Sequence, residues 1–140
     1  MKLLDSDILS LAYHGKPGVA ERVAAARDAG ELSLPIFVRL EALRGRIVAV
    51  LKAGTGADAL RMQGRLASTE VYLGTFPVVP FDAAAAIHFD RLVHSKSLRN
   101  MGRADLLIAC IVLAHDATLV TRNINDFAPV PGLKLDDWAA

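Results

Sequence analysis

The sequence predicts an α/β protein, a three-layer α/β/α domain with a central, mainly parallel sheet and a helical hairpin. Three observations lead there. Short apolar runs of strand length alternate with longer helical segments, as βαβ units do. Glycine and proline punctuate the junctions between them. The first run, "KLLD", suits a central strand, and strands alternating with helices imply a parallel sheet covered on both faces.

The elements follow in order. Residues 2–5 form the first strand, and "PGVAERVAAARDAG" (17–30) a helix with Pro17 near its start and Gly30 at its end. "LSLPI" (32–36) is a strand whose end Pro35 marks. "FVRLEALRGRIVAVLKAG" (37–54) and "ADALRMQGRLASTEVYL" (57–73) are helices joined at Gly54-Thr55-Gly56, which makes the hairpin. "FPVVPF" (76–81) is a strand, and Asp82 caps the helix "AAAAIHFDRLVHSKSL" (83–98). After "RNMG", "RADLLIACIVLAHDA" (103–117) is apolar nearly all round and so a buried central helix. "TLVT" (118–121) and "LKL" (133–135) are the last strands, with "RNINDFAPVPG" turning between them.

A chain of 140 residues is one domain by length, 1–140. Hydrophobic residues make up 53% and charged residues 22%, which gives a generous core. The net charge of +1 rules out a global polybasic field, so any nucleic-acid contact has to come from local clusters. Cys110 is the single cysteine, which excludes an internal disulfide and fits a reducing cytoplasm. It lies in "LLIACIVLA" and reads as a small core hydrophobe. Asp5 and Asp7 interrupt any signal-peptide core. The run from Leu106 to Ala114 is roughly half of what a membrane span needs. No membrane association is expected.

Ligands of open parallel sheets bind beyond the carboxyl ends of the strands. Asp5 closes the first strand at that edge. Asn123 and Asp126 follow "TLVT" there. Glu41 falls in the first turn or so of the helix after "LSLPI", and Asp105 in the first turn of the buried helix. Clustered carboxylates repel one another and need a countercharge. A helix dipole supplies only about 0.3–1 kcal/mol. A divalent cation is enough, and an all-oxygen donor set suits Mg²⁺ or Mn²⁺ over zinc or copper. That points to phosphodiester chemistry. Taken singly, each acid also reads as a turn former, a cap or surface charge, and the four histidines share no metal-binding spacing.

"LLDSDIL", "LEALRG", "GRADLLIACIVLAHDATLVTRNINDF" and "VPGLKLDDW", with "VVPFDAAAA" between them, closely resemble the PIN-domain ribonucleases, specifically the VapC-like toxins of bacterial toxin–antitoxin pairs. The resemblance implies a small α/β/α fold and Mg²⁺-dependent endonucleolytic cleavage of RNA. It carries the family's acidic positions onto Asp5, Glu41 and Asp105, as metal ligands, and the fourth position onto Asn123, where some relatives have an acid. It also implies a homodimer and inhibition by a cognate antitoxin.

Asp126 compensates for Asn123 or, as expected here, only caps the turn. Asp7 and Thr121 are expected to support the metal-binding groups, Thr121 by holding a water. Val38 and Arg39 precede Glu41 where such proteins often have a hydroxyl and an apolar residue. Lys96, Arg99, Arg103 and Arg122 flank the acids and are the expected RNA-phosphate contacts, with Arg39, Arg44 and Arg46 near Glu41. The 37–73 hairpin carries more apolar positions than one face needs, which suits subunit or antitoxin contact. A competing expectation is a weakly catalytic nucleic-acid-binding protein of this fold, acting with a DNA-binding antitoxin.

Overall fold

A computed structural model describes all residues, 1–140. Five short strands form one sheet, every neighbouring pair parallel, in the order β3-β2-β1-β4-β5. They are β1 (Lys2–Leu4), β2 (Leu32–Pro35), β3 (Val78–Val79), β4 (Thr118–Val120) and β5 (Lys134–Asp136). β1, β2 and β4 each lose the last residue of their apolar run, β3 keeps only the middle of its run, and β5 is shifted by one residue from 133–135. Between them run α1 (Ser6–Tyr13), α2 (Val19–Asp28), α3 (Ile36–Leu51), α4 (Gly56–Leu73), α5 (Ala83–Leu92), α6 (Arg103–Ala114) and α7 (Ile124–Phe127).

The strand order decides where a site can form. The chain steps from β1 to β2 to β3 in one direction, then returns past β1 to lay down β4 and β5. Right-handed crossovers therefore put α1 to α4 on one face and α5 and α6 on the other. The reversal falls between β1 and β4, so their carboxyl ends part around a crevice. Leu4 pairs with Val120, and the Asp5 amide still donates to the Val120 carbonyl at 2.9 Å. Asp5 and Thr121, each one residue further on, stand side by side at the crevice.

The core is a cluster of 29 buried apolar residues. Leu3, Leu4, Leu34, Leu119 and Val120 of the sheet are fully buried, as are Ile108 to Val112 of α6, in keeping with its all-round apolar sequence. Cys110 lies among them, and burial pushes its thiol up to about 11. That is an inert core position.

Several boundaries differ from the sequence reading for local reasons. The helix α1 was not anticipated; its Ile8, Leu9 and Ala12 are buried with helical spacing, and Asp5 caps its first turn. The helix expected over 17–30 starts after Gly18, which takes φ +83°, so Pro17 lies outside it. Gly30 takes φ +73° just past the C-cap, the left-handed closure glycine allows. Pro35 both ends β2 and precedes the first turn of α3. The helix expected over 83–98 stops at Leu92; Ser95 and Ser97 bond to each other at 2.9 Å, and residues 96–98 form a separate 3₁₀ turn. Asp82 caps α5 by accepting from the Ala85 amide at 3.0 Å, as expected.

The hairpin of α3 and α4 is tied by Arg46, whose Nε donates to Thr69 Oγ1 at 3.0 Å. It leaves Leu40, Ile47, Val48, Leu51, Leu60 and Val71 exposed, while α3 buries only Val38. No helix is long and apolar enough to cross a membrane.

Candidate active site

Asp5 is the centre of the crevice. It is only 4% exposed, yet it carries a carboxyl group whose partners are all hydrogen-bond donors. The Ser6 amide donates to Oδ1 at 2.8 Å and the Thr121 hydroxyl donates to Oδ2 at 2.7 Å. Burial outweighs both bonds and, helped by the charges of Asp7 and Asp105, pushes Asp5 up to about 6. Thr121 is fully buried, and its Oγ1 also accepts the Asn123 amide at 3.0 Å. Its hydroxyl thus fixes Asp5 with its one proton and the turn after β4 with one lone pair, which leaves a second lone pair as its only free valence.

Asp7, in the first turn of α1, reaches across the crevice. Its Oδ1 accepts from the Ile8 amide at 2.7 Å and its Oδ2 from the Arg122 amide at 3.1 Å. A carboxylate so placed latches α1 to the β4 loop. Ser6, which sequence reasoning passed over, donates from Oγ to Glu41 Oε2 at 3.3 Å. The signal was present: a hydroxyl between two acids at a strand end.

Glu41 stands in the second turn of α3, one turn deeper than expected, and is exposed at the crevice mouth. Asp105 is half-buried in the first turn of α6. Both are raised above the ordinary carboxylate range. For Glu41 the causes are partial burial and then the charge of Asp5, with the Ser6 bond opposing; for Asp105 they are partial burial, then Glu41, Asp126 and Asp7. The five acids therefore form one electrostatic set.

Asp126 belongs to that set, which corrects its reading as a turn cap. Its side chain caps nothing; α7 is entered from Asn123, without any side-chain cap bond, and Asp126 sits within reach of Asp105. Asn123 is exposed beside them, its amide N–H held by Thr121.

No cation neutralises the set. The ion pairs of the molecule are Arg22–Asp136, Arg27–Asp28, Arg61–Asp58 and Lys134–Asp116, all elsewhere. Lys96, Arg99, Arg103 and Arg122 are exposed around the crevice without closing on the acids. Arg103 instead lies 5.4 Å over the Phe89 ring. Arg46 is drawn away to Thr69 and the Tyr13 ring. As placed, no three acidic, histidine or cysteine side chains stand close enough to cage one ion. The acids gather without closing, a donor set of oxygens that suits a hard divalent ion once one or two side chains turn inward.

On the α1 side the crevice continues into a groove of about 410 Å³ between α1, α3 and α4, lined by Ser6, Tyr13, Glu41, Arg46, Thr69 and Tyr72.

Fold and site together define a doubly wound α/β/α domain with unpaired acids at its switch point. The chain belongs to the PIN-domain family, whose model it matches over residues 2–133. Among curated proteins it is similar to "Ribonuclease VapC2" of Rickettsia felis, 28% identical over 69% of this chain and 73% of that one. It is also similar to "tRNA(fMet)-specific endonuclease VapC" of Shigella flexneri, 33% identical over 60% of this chain and 66% of the relative, just under two thirds of its length. The fold is also that of a DNA-bound VapBC complex from Salmonella typhimurium, with a TM-score of 0.78, 21% identity, and 99% and 98% of the two chains covered.

Proposed function

We propose that the chain is a divalent-metal-dependent endoribonuclease, cleaving RNA phosphodiester bonds as the toxin of a toxin–antitoxin pair. The observation that carries this reading is Asp5: a nearly buried carboxyl at the switch point, held by two donors and repelled by its acidic neighbours, with no protein cation to balance it. Membership of the PIN family and the ribonuclease names of its relatives support the same activity.

Asp5 and Asp105 are the direct metal ligands and Glu41 a direct or water-mediated one. The bound ion, Mg²⁺ or Mn²⁺, would neutralise phosphate charge and acidify an attacking water. The chain's own groups do the rest. Thr121 and the Ser6 amide hold the Asp5 carboxylate in one orientation. Glu41 is tethered only by the 3.3 Å bond from Ser6, which leaves it free to swing inward. Asn123, at the mouth, orients the nucleophilic water through its side-chain oxygen, and Asp126 supplies the negative charge that an amide lacks. Lys96, Arg99, Arg103 and Arg122 receive the RNA phosphates on either side.

RNA places the work in the cytoplasm. The partner is a cognate antitoxin, and the exposed apolar positions of the hairpin, Leu51, Val71 and Leu60 foremost, suit a homodimer or antitoxin contact.

The test is cleavage of purified tRNA and of total RNA with Mg²⁺ and with Mn²⁺, beside a chelator control and Asp5→Asn. Discrete fragments from the wild type alone are expected. The amide at position 123 and the open spacing of the acids favour one competing reading, a nucleic-acid-binding protein that cuts little. RNA binding without turnover in either metal would establish that reading and refute the first.

A further inference from the structure

A second hollow opens on the other side of Asp105. Its volume is about 350 Å³, at the lower end of small-ligand pockets. The loop before α6 contributes Asn100, Met101 and Gly102; α7 and the turn after it contribute Asn125 and Pro129, with Asp105 at the junction with the acid set. The catalytic reading uses none of the first five. Their chemistry also differs from that of the crevice: two side-chain amides, a thioether and a proline ring. Asn100 and Asn125 are exposed, so both amides are open to a ligand.

The composition decides between ligands. Asp105 and Asp126 both line the hollow and disfavour a phosphate there. Met101 and Pro129 disfavour a fully hydrated ion. A flat, uncharged group with a polar edge satisfies both constraints. We propose that the hollow receives one unstacked base of the RNA, adjacent to the scissile phosphate, and that Asn100 and Asn125 read its edge. The inference rests on the ribonuclease reading above. A side-chain amide offers a donor beside an acceptor, the complement of the N6 and N7 edge of adenine. Sequence-specific RNA recognition works on bases splayed from single strands in this way. The Met101 sulfur and the Pro129 ring would cover the base face. Lys96 and Arg99, exposed on the same segment, are placed for the flanking phosphates.

The experiment cuts a random single-stranded RNA pool with the wild type, Asn100→Ala and Asn125→Ala in Mg²⁺ or Mn²⁺, and sequences the new ends. The wild type is expected to enrich adenine about fivefold or more at one position beside the cut. Each variant should flatten that position towards the pool composition while the preferences at other positions persist. Loss in the variants of a bias towards a different base still supports the hollow. A wild type that cuts without bias there, or variants that keep the bias, overturn it. A wild type that cuts nothing in either metal refutes the ribonuclease reading itself, a result distinct from both. Both residues are exposed, and circular dichroism shows whether the variants keep the fold.

Discussion

Replacing Thr121 with valine isolates what holds Asp5. Valine keeps the shape of threonine and removes one hydroxyl, which donates to Asp5 at 2.7 Å and accepts from the Asn123 amide at 3.0 Å. A hydrogen bond to a charged group contributes about 1.5–3 kcal/mol. Losing about 2 kcal/mol of stabilisation from the ionised form moves a carboxyl titration up by about 1.5 pH units. Asp5 starts from about 6 because burial has already raised it. At pH 7 its ionised fraction should then fall from about nine-tenths to about a quarter.

The assay is kcat/KM on a short labelled RNA, with Mg²⁺ well below saturation, from pH 5 to 9. Under those conditions the profile reports the free enzyme. The acid limb should move up by about 1.5 pH units in Thr121→Val and return in Thr121→Ser, which keeps the hydroxyl. The folded state should lose about 1–2 kcal/mol through the unpaired Asn123 amide and the weakened Asp5. An acid limb that stays in place, or a loss equal at every pH, would show that the bond does not govern the protonation of Asp5.

Further expectations follow from the same set of charges. Asp105→Asn should lower cleavage by at least about 10²-fold without lowering urea stability, because it relieves the repulsion from Glu41, Asp126 and Asp7. Chelation should stop cleavage, and Mg²⁺ at about 100 times its dissociation constant should stabilise the wild type by about 2.7 kcal/mol but stabilise Asp5→Asn much less, as a thermal shift would show. Without divalent ions, Asp5 itself should make stability depend on pH. Its carboxyl is raised from 3.8 to about 6 on folding, so the folded state holds the proton more tightly. The stability this gives is fully present below the unfolded value and lost as pH rises through about 6, roughly 3 kcal/mol in all; urea titrations from pH 4 to 7 should show that slope in the wild type and not in Asp5→Asn. Trp138 is 6% exposed, donates to Asp136 at 3.0 Å and lies 4.5 Å beneath the Arg22 guanidinium. Trp138→Ala should cost about 3–5 kcal/mol by freeing the edge around β5, with RNA cleavage by the folded fraction unchanged.

The strands were legible because each is a short apolar run closed by a turn-forming residue, and the sheet needs little else. The edge of the sheet that carries the site was legible too, since Asp5 and Asn123 each follow such a run, whereas the switch point needed the strand order. What escaped was local. Helix α1 has eight residues, and it begins at an acid that also ends a strand, so its N-cap was read only as a strand terminus. Its Ile8, Leu9 and Ala12 carried the helical spacing that would have revealed it. Without α1, Ser6 had no reason to face Glu41. The misreading of Asp126 has a similar origin: an acid after a turn is usually a cap, and only the packing of the four-residue α7 shows it beside Asp105. Arg46, close to Glu41 in sequence, lines the same groove, but its Nε is engaged by Thr69, a tertiary contact no local pattern announces.

The distribution of basic residues gives the strongest argument that the acids are kept uncompensated. Sixteen lysines and arginines stand against fifteen acids, enough to neutralise the crevice several times over. Yet the four ion pairs form elsewhere, and Arg122, whose own amide is bonded to Asp7, stays exposed without pairing with it. An uncompensated set costs the free protein stability, most of it through Asp5, the one buried acid of the set. That cost is recovered whenever a cation binds, so stability and cation affinity are two readings of one free energy. A variant that brings a lysine into the crevice, such as Asn123→Lys, should therefore raise the stability of the metal-free protein and weaken its Mg²⁺ affinity together. If the two change independently, the acids are not waiting for a cation, and their repulsion needs another cause.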